Sequence, residues 1–341
     1  MEPITLKGAP GSPYTRKMLA LLRYQRLPYR FLIGNHDNDF GLPKPKVALL
    51  PTFYLRDARG DLEAVVDSTP LIRRLDDDYP GARSVLPPDP VVAFIDALIE
   101  DYGDEWLTKA MFHYRWHYPA DIAHAGSILP RWRSISAPEA RMETLRAQFS
   151  RRQIDRLWVV GSNATTAPVI EASYHRFLGI LNEVLTQQPF LLGARPGSAD
   201  LAVYGQLTQL AHFDPTPRAV TLQIAPRVFA WVDVMDDLSG VEPEADGWLD
   251  RAALAAVLRP LLTEIGRTYV PVMLANAAAL NAGAERVLAR VDDAEWVQQP
   301  FPYQARCVAM LRAAHARLAP DDRADVDAVL AGTGCSALFQ H

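Results

Sequence analysis

Ser12 stands in the run Pro10-Gly11-Ser12-Pro13-Tyr14-Thr15-Arg16-Lys17, after a short strand pattern and at the start of a helical one. A serine at that place accepts from the free N–H groups of a first helical turn, and proline at the next position forgoes an N–H that has no partner there. A helix N-terminus of this kind holds an anion or a thiolate, and Arg16 adds a cation one turn along. The same residues also make a plain cap with no ligand. A second candidate is Leu50-Pro51-Thr52, where proline enters a strand pattern. A third is Asp67-Ser68-Thr69-Pro70, which repeats the layout of a polar cap followed by proline. There Ser68 and the helix-end amides suit a carboxylate, and Asp67 suits an ammonium.

The elements that position these residues fall in two kinds. Residues 4–6, 29–33, 52–56 and 61–66 have strand character, the last two joined as a hairpin around Asp57-Ala58-Arg59-Gly60. Helical patterns occupy 13–26 and about 69–76, giving the order β-α-β then β-β-α. Residues 80–90 hold four prolines and one glycine and read as a linker. Beyond them helical periodicity dominates 91–118, 137–157, 165–186, 199–211, 224–236, 250–283 and 304–331, with one hairpin at 286–297 around Asp292-Asp293. The expected domains are 1–80, a linker at 81–90, an all-helical 91–240 and a mostly helical extension at 241–341.

The 341 residues are 49% hydrophobic and 22% charged, which excludes a wholly disordered chain. The net charge of −5 does not invite nucleic acid or an anionic membrane, and no run of apolar residues is long enough to span a bilayer. Two cysteines, Cys307 and Cys335, build no disulfide framework, and the N-terminus lacks the layout of a secretory signal, so a cytoplasmic location is expected.

In this order and spacing the three candidate pieces resemble the thioredoxin-like N-terminal domain of the glutathione transferase superfamily. The helical region resembles that family's C-terminal domain, and the likeness covers about residues 3–240. The implied fold is an α/β thioredoxin-like domain plus an all-α domain, here with an extra C-terminal helical extension. Ser-Pro-Tyr-Thr also resembles a glutaredoxin Cys-Pro-Tyr-Cys motif with both cysteines replaced by hydroxyls. The resemblance implies that Ser12 donates to the sulfur of glutathione as co-substrate, with Thr15 and Tyr14 as secondary sulfur contacts. It implies a cis peptide at Pro51, with the Leu50 backbone on the cysteinyl part, and Asp67 and Ser68 on the γ-glutamyl end. Lys46 and His36, with Lys44, are the cations at hand for the glycyl carboxylate. A serine cannot form a mixed disulfide, so the implied chemistry is conjugation, ether cleavage or isomerisation rather than thiol reduction. The reaction would be attack of glutathione thiolate on a small hydrophobic electrophile by a homodimeric enzyme. The alternative is a non-catalytic protein of the same fold that binds a ligand or partner. A redox protein using Cys307 or Cys335 is a second rival.

At 100° per residue, Tyr102, Trp106, Lys109, His113, Trp116 and His117 share an arc of about 100° on the 91–118 helix. In the family this helix borders the second-substrate pocket, and Tyr102, Trp106, Lys109 and His113 are expected to line it; the rival reading is a packed face. His113 and His117 have metal spacing but no third ligand, so no metal is expected. The family's buried helix starts with Ser or Thr three residues before an Asp. Here Gly197 precedes Asp200, with Ser198 one place later. Residues 131–156 hold seven arginines against three acids, either a binding stripe or a solvated face. The aromatic content of the region past 240 marks an ordered extension, and its Gly-Thr-Gly-Cys stretch at 332–335 resembles extended bacterial members of the superfamily.

Overall fold

In the computed structural model, which describes residues 2–37 and 40–340, the first strand β1 (Ile4–Gly8) lies centrally in a four-stranded sheet. Parallel pairing with β2 (Tyr29–Ile33) requires a crossover, and α1 (Pro13–Tyr24) supplies it. β3 (Thr52–Arg56) runs antiparallel to β1, and β4 (Leu62–Val65) antiparallel to β3. The order is β2-β1-β3-β4. α1 turns Met18, Leu19, Leu21 and Leu22 into the core, with Leu6, Phe53 and Leu55 from the strands. α2 (Ser68–Asp78) adds Leu71, Ile72 and Leu75.

The helical part begins with α3 (Pro90–Tyr102), capped by Asp89, whose Oδ1 accepts from Val91 N at 2.9 Å and Val92 N at 3.1 Å. It does not run on as one α-helix: a π-turn at Gly103–Leu107 precedes α4 (Thr108–His117). α5 (Pro119–Arg131), α6 (Glu139–Ile154) and α7 (Ala167–Gln187) follow. Then come α8 (Ser198–Leu207), a second π-turn at Thr208–Phe213, α9 (Pro215–Ile224) and α10 (Pro226–Asp236). Helices α5 and α9 escape the sequence reading for a physical reason. Their buried positions are Asp121, Ala125, Gly126 and Pro130 in one, and Pro217 and Thr221 in the other, so neither carries an aliphatic stripe.

Gly197 is itself the cap of α8, and Asp200 reaches back to accept from Gly197 N at 2.9 Å and from Leu191 N at 2.8 Å. The missing hydroxyl is replaced from another helix. Asp96 of α3 accepts from Ala199 N at 3.0 Å and from the Ser198 hydroxyl. A Cβ on residue 197 would sit 2.5 Å from Asp96 Oδ1, so glycine is what lets this carboxylate in.

The extension consists of α11 (Arg251–Asn281), the hairpin β5 (Val287–Val291) and β6 (Ala294–Gln298), α12 (Pro302–Arg317) and α13 (Pro320–Leu330). Asp292 and Asp293, at φ 52° and 63°, form the hairpin turn expected from their position. The 304–331 pattern is two helices, because Leu318 is extended before Ala319 and Pro320. The extension is core rather than tail: Tyr269 meets Tyr102 at 6.3 Å between ring centroids, and Trp296 meets Trp106 at 5.3 Å. Both cysteines are buried; burial pushes the Cys335 thiol up to about 11, and burial with Asp101 and Glu105 pushes Cys307 far above its ordinary value. Neither is a reactive thiolate at neutral pH.

The last turn docks on α11 at Gly266. A Cβ there would lie 2.0 Å from the Thr333 carbonyl, while Cys335 Sγ donates to Leu262 O at 3.1 Å. Gly266→Val is therefore expected to lose about 1–3 kcal/mol by overpacking, read as a lower midpoint in urea. Gly179→Ala in α7, with nothing within 4 Å of its Cβ, should instead gain about 0.5–1 kcal/mol.

Candidate functional site

Ser12 caps α1 with extended backbone (φ −97°, ψ 118°), its Oγ accepting from Thr15 N at 3.2 Å and donating to Leu50 O at 3.4 Å. The loop before it is gripped from the helical region. Arg115 Nη1 donates to Gly11 O at 3.0 Å, and Gln209 Nε2 to Pro10 O at 3.3 Å. Arg115 is buried, with Nε on both Asp214 oxygens at 2.9 and 3.1 Å and Nη2 on Gln209 Oε1 at 2.6 Å. With the loop carbonyls turned toward Arg115 and Gln209, Ser12 is left at the wall of an open cleft. Nothing local in the sequence marks Arg115 and Gln209: they lie 94 residues apart and meet only through the fold.

The cleft has a volume of about 1610 Å³ and lies between the sheet domain and the helices. Ser12, Leu50, Pro51, Asp67 and Ser68 all line it, and the Leu50–Pro51 peptide is cis. Asp67 precedes α2 with φ 84°, a conformation rare outside glycine. Its side chain makes no cap bond and accepts from Tyr303 Oη at 3.0 Å. The extension thus reaches the first domain, with Phe301, Tyr303, Gln304 and Arg306 forming part of the same wall. No sequence signal links residues 67 and 303.

Several expected residues stand elsewhere. Thr15 is fully buried, accepting from Ala9 N at 3.3 Å, and does not face the cleft. Tyr14 lines the cleft, its hydroxyl donating to Asp104 O at 2.8 Å. Of the cations, Lys46 lines the cleft and Lys44 does not. His36 is held in the connection by Leu49 O at 3.1 Å and Thr52 Oγ1 at 3.2 Å, outside the cleft lining.

The aromatic arc needs correction. Tyr102, Trp106 and His113 are core side chains, 0–1% exposed, and only Lys109 of the expected four lines the cleft. Two causes combine. The π-turn holds more residues per turn than an α-helix, so the 100° phasing slips. The extension then covers that face, placing Tyr269 on Tyr102 and Trp296 on Trp106. Trp106 Nε1 donates to Ser173 Oγ at 3.1 Å, and His113 is occupied at both ring nitrogens by Ser162 Oγ at 2.8 Å and Glu171 Oε1 at 3.1 Å. The apolar wall consists instead of Met111, Phe112, Trp116, Trp132 and Phe149.

The π-turn also builds the interdomain floor. Lys17 donates to Glu100 at 2.7 Å and Asp104 at 2.6 Å. Burial opposes its charge, but Asp104 and Glu100 outweigh burial and raise its pKa. Burial, then Asp101 and Asp104, push Glu105 up to about 8 against the opposing pull of Gln304 and Lys109. Burial lowers Lys109 to about 8 against the pull of Glu105. Because Glu105 rises from 4.5 to about 8 on folding, the unfolded chain releases a proton in that interval that the folded chain keeps. This group's stabilisation is thus full below pH 4.5 and lost as pH rises to 8. Glu105→Gln should match the parent in thermal midpoint near pH 5 and exceed it above pH 8, which differential scanning calorimetry reads.

The family model for the glutathione S-transferase N-terminal domain matches residues 6–83, and that for the C-terminal domain matches 141–233, together just over half of the chain. The chain belongs to the glutathione S-transferase superfamily. The first match contains the Ser12, Leu50–Pro51 and Asp67–Ser68 pieces, and the second runs from the first turn of α6 through most of α10. Solved structures of similar fold include a glutathione S-transferase from Methylobacterium radiotolerans in complex with glutathione sulfonate. It is 17% identical, with 73% of this chain and 98% of that chain covered and a TM-score of 0.42. The beta-etherase LigF from Sphingobium sp. strain SYK-6 is 17% identical, with 68% and 94% covered and a TM-score of 0.44. A glutathione S-transferase from Rhodospirillum rubrum is 17% identical, with 73% and 96% covered and a TM-score of 0.42. No curated protein matches this chain. Among the described residues no helix is long and apolar enough to cross a membrane.

Proposed function

We propose that this superfamily member uses glutathione as co-substrate and directs its thiolate at a small electrophile in the cleft. The observation that carries the reading is the meeting of Ser12, the Leu50–Pro51 peptide and the Asp67–Ser68 helix start on one cleft. Ser12 Oγ–H is the sulfur's hydrogen-bond donor. Its bond to Leu50 O is long at 3.4 Å, so exchange for a charged sulfur is favourable. The Leu50 backbone takes the cysteinyl part, Asp67 the α-ammonium, Ser68 and the α2 amides the γ-glutamyl carboxylate, and Lys46 the glycyl carboxylate. Tyr303 holds the Asp67 carboxylate toward that ammonium.

In the reaction the sulfur lone pair forms a C–S bond at the electrophilic carbon, and the leaving group departs with the bonding pair. The protein forms no covalent bond. Lowering the thiol pKa by about two units needs about 2.7 kcal/mol. One hydrogen bond to the charged sulfur supplies about 1.5–3 kcal/mol and the α1 terminus about 0.3–1 kcal/mol. Ultraviolet difference titration of the glutathione complex tests this directly. The bound thiol is expected to ionise well below its free value; ionisation at the free value would favour a binding protein of the same fold.

A further inference from the structure

Arg141, Arg152 and Arg156 of the arginine-rich run at 131–156 are solvent-exposed side chains that also border the cleft. Helix α6 carries Arg141, Leu145, Phe149 and Arg152 at spacings of four, four and three, with Arg156 four residues further on, and all five line the cleft. Such spacing places the first four on one side of α6, and Arg156 lies two residues past its end. A neighbouring face, Met142 and Ser150, packs against α5, where a Cβ on Gly126 would meet Ser150 Oγ at 2.3 Å. The stripe is therefore aimed at the cleft by the way α6 docks. Arg133 is engaged by Asp37 at 2.5 Å. Arg152 also helps to hold the Asp37 carboxylate below its ordinary value, yet among the described residues no ion pair within 4.0 Å includes Arg141, Arg152 or Arg156. The cleft's other acids, Asp67, Asp101, Asp104 and Glu105, come from the α2 start and the interdomain floor. Between the guanidinium groups lie Leu145 and Phe149, with Trp132 and Trp158 on the same cleft. Guanidinium groups pair with carboxylate, sulfonate or phosphate oxygens and stack on aromatic faces.

We infer that the second substrate of this cleft is an aromatic anion, and that Arg141, Arg152 and Arg156 recognise its charged group while the adjoining rings take its body. The word substrate rests on the function proposed above; the binding does not. The test is quenching of tryptophan fluorescence, without glutathione, by 1-anilinonaphthalene-8-sulfonate and by uncharged N-phenyl-1-naphthylamine. These share a ring system and differ in the sulfonate. The full chain is expected to bind the sulfonate about tenfold or more tightly, with the preference falling as salt rises. The triple variant Arg141→Gln, Arg152→Gln, Arg156→Gln should lose that preference, keep its affinity for the uncharged amine and keep its thermal midpoint. Equal affinity for the two probes in the parent chain would overturn the inference, as would a preference that survives in the triple variant. Calorimetric titration with glutathione separates the two proposals. Sulfonate selectivity with no glutathione binding defeats only the proposed function. Glutathione affinity lost together with the sulfonate preference would assign these arginines to the glycyl carboxylate and overturn the inference.

Discussion

Ser12→Ala is expected to lower turnover by roughly 10- to 150-fold, the equivalent of a hydrogen bond of about 1.5–3 kcal/mol to a charged sulfur. The KM for glutathione should change little, because in the proposed site Leu50, Asp67, Ser68 and Lys46 would hold the tripeptide by its other groups. The pH–rate profile should move up, since the thiol then ionises with only the α1 terminus to help it. Losing the Thr15 N cap bond costs the fold about 0.5–2 kcal/mol, so thermal midpoint and kinetics must be measured on the same preparation. Undiminished turnover with an unmoved profile would remove Ser12 from the chemistry and leave it as a cap.

Arg115→Ala should produce the largest loss of stability. The Asp214 carboxylate is fully buried and loses its cation, Gln209 loses a donor, and Gly11 O is left unheld. Breaking a buried pair on one side costs about 3–5 kcal/mol, seen as a lower urea midpoint. The double variant Arg115→Met, Asp214→Asn leaves neither charge of this pair behind and should regain most of that loss. It should not regain kcat/KM, because the Pro10-Gly11-Ser12 loop still lacks the Arg115 bond to Gly11 O. Recovery of both quantities would show that Arg115 serves stability alone rather than positioning Ser12.

Local chemistry made much of the first domain legible. Caps, prolines at helix starts and the 57–60 turn are signals carried by neighbouring residues, and so is the Asp292-Asp293 hairpin. What escaped was tertiary. The aromatic residues of α3 and α4 read as one face because periodicity assumes an unbroken α-helix, and no pattern in the sequence announces the π-turn at 103–107. Nor does it announce that residues 269 and 296 return to cover that face. His36 and Thr15 had suitable chemistry at suitable spacing, yet hydrogen bonds inside the first domain hold them away from the cleft. Gly197 departs from the family pattern because a carboxylate a hundred residues earlier supplies the cap. Tyr303 and Arg115 reach the site over separations of 236 and 104 residues, and such contacts leave no trace in spacing.

In the proposed site glutathione is held through the α2 start and the Leu50 backbone. Calorimetric titration of the full chain with reduced glutathione, repeated with Ser68→Ala, tests it most directly. Saturable binding is expected in the parent chain and weaker binding in the variant, with the thermal midpoint of the variant little changed. No heat of binding at millimolar glutathione, or equal affinity in the two forms, would contradict it.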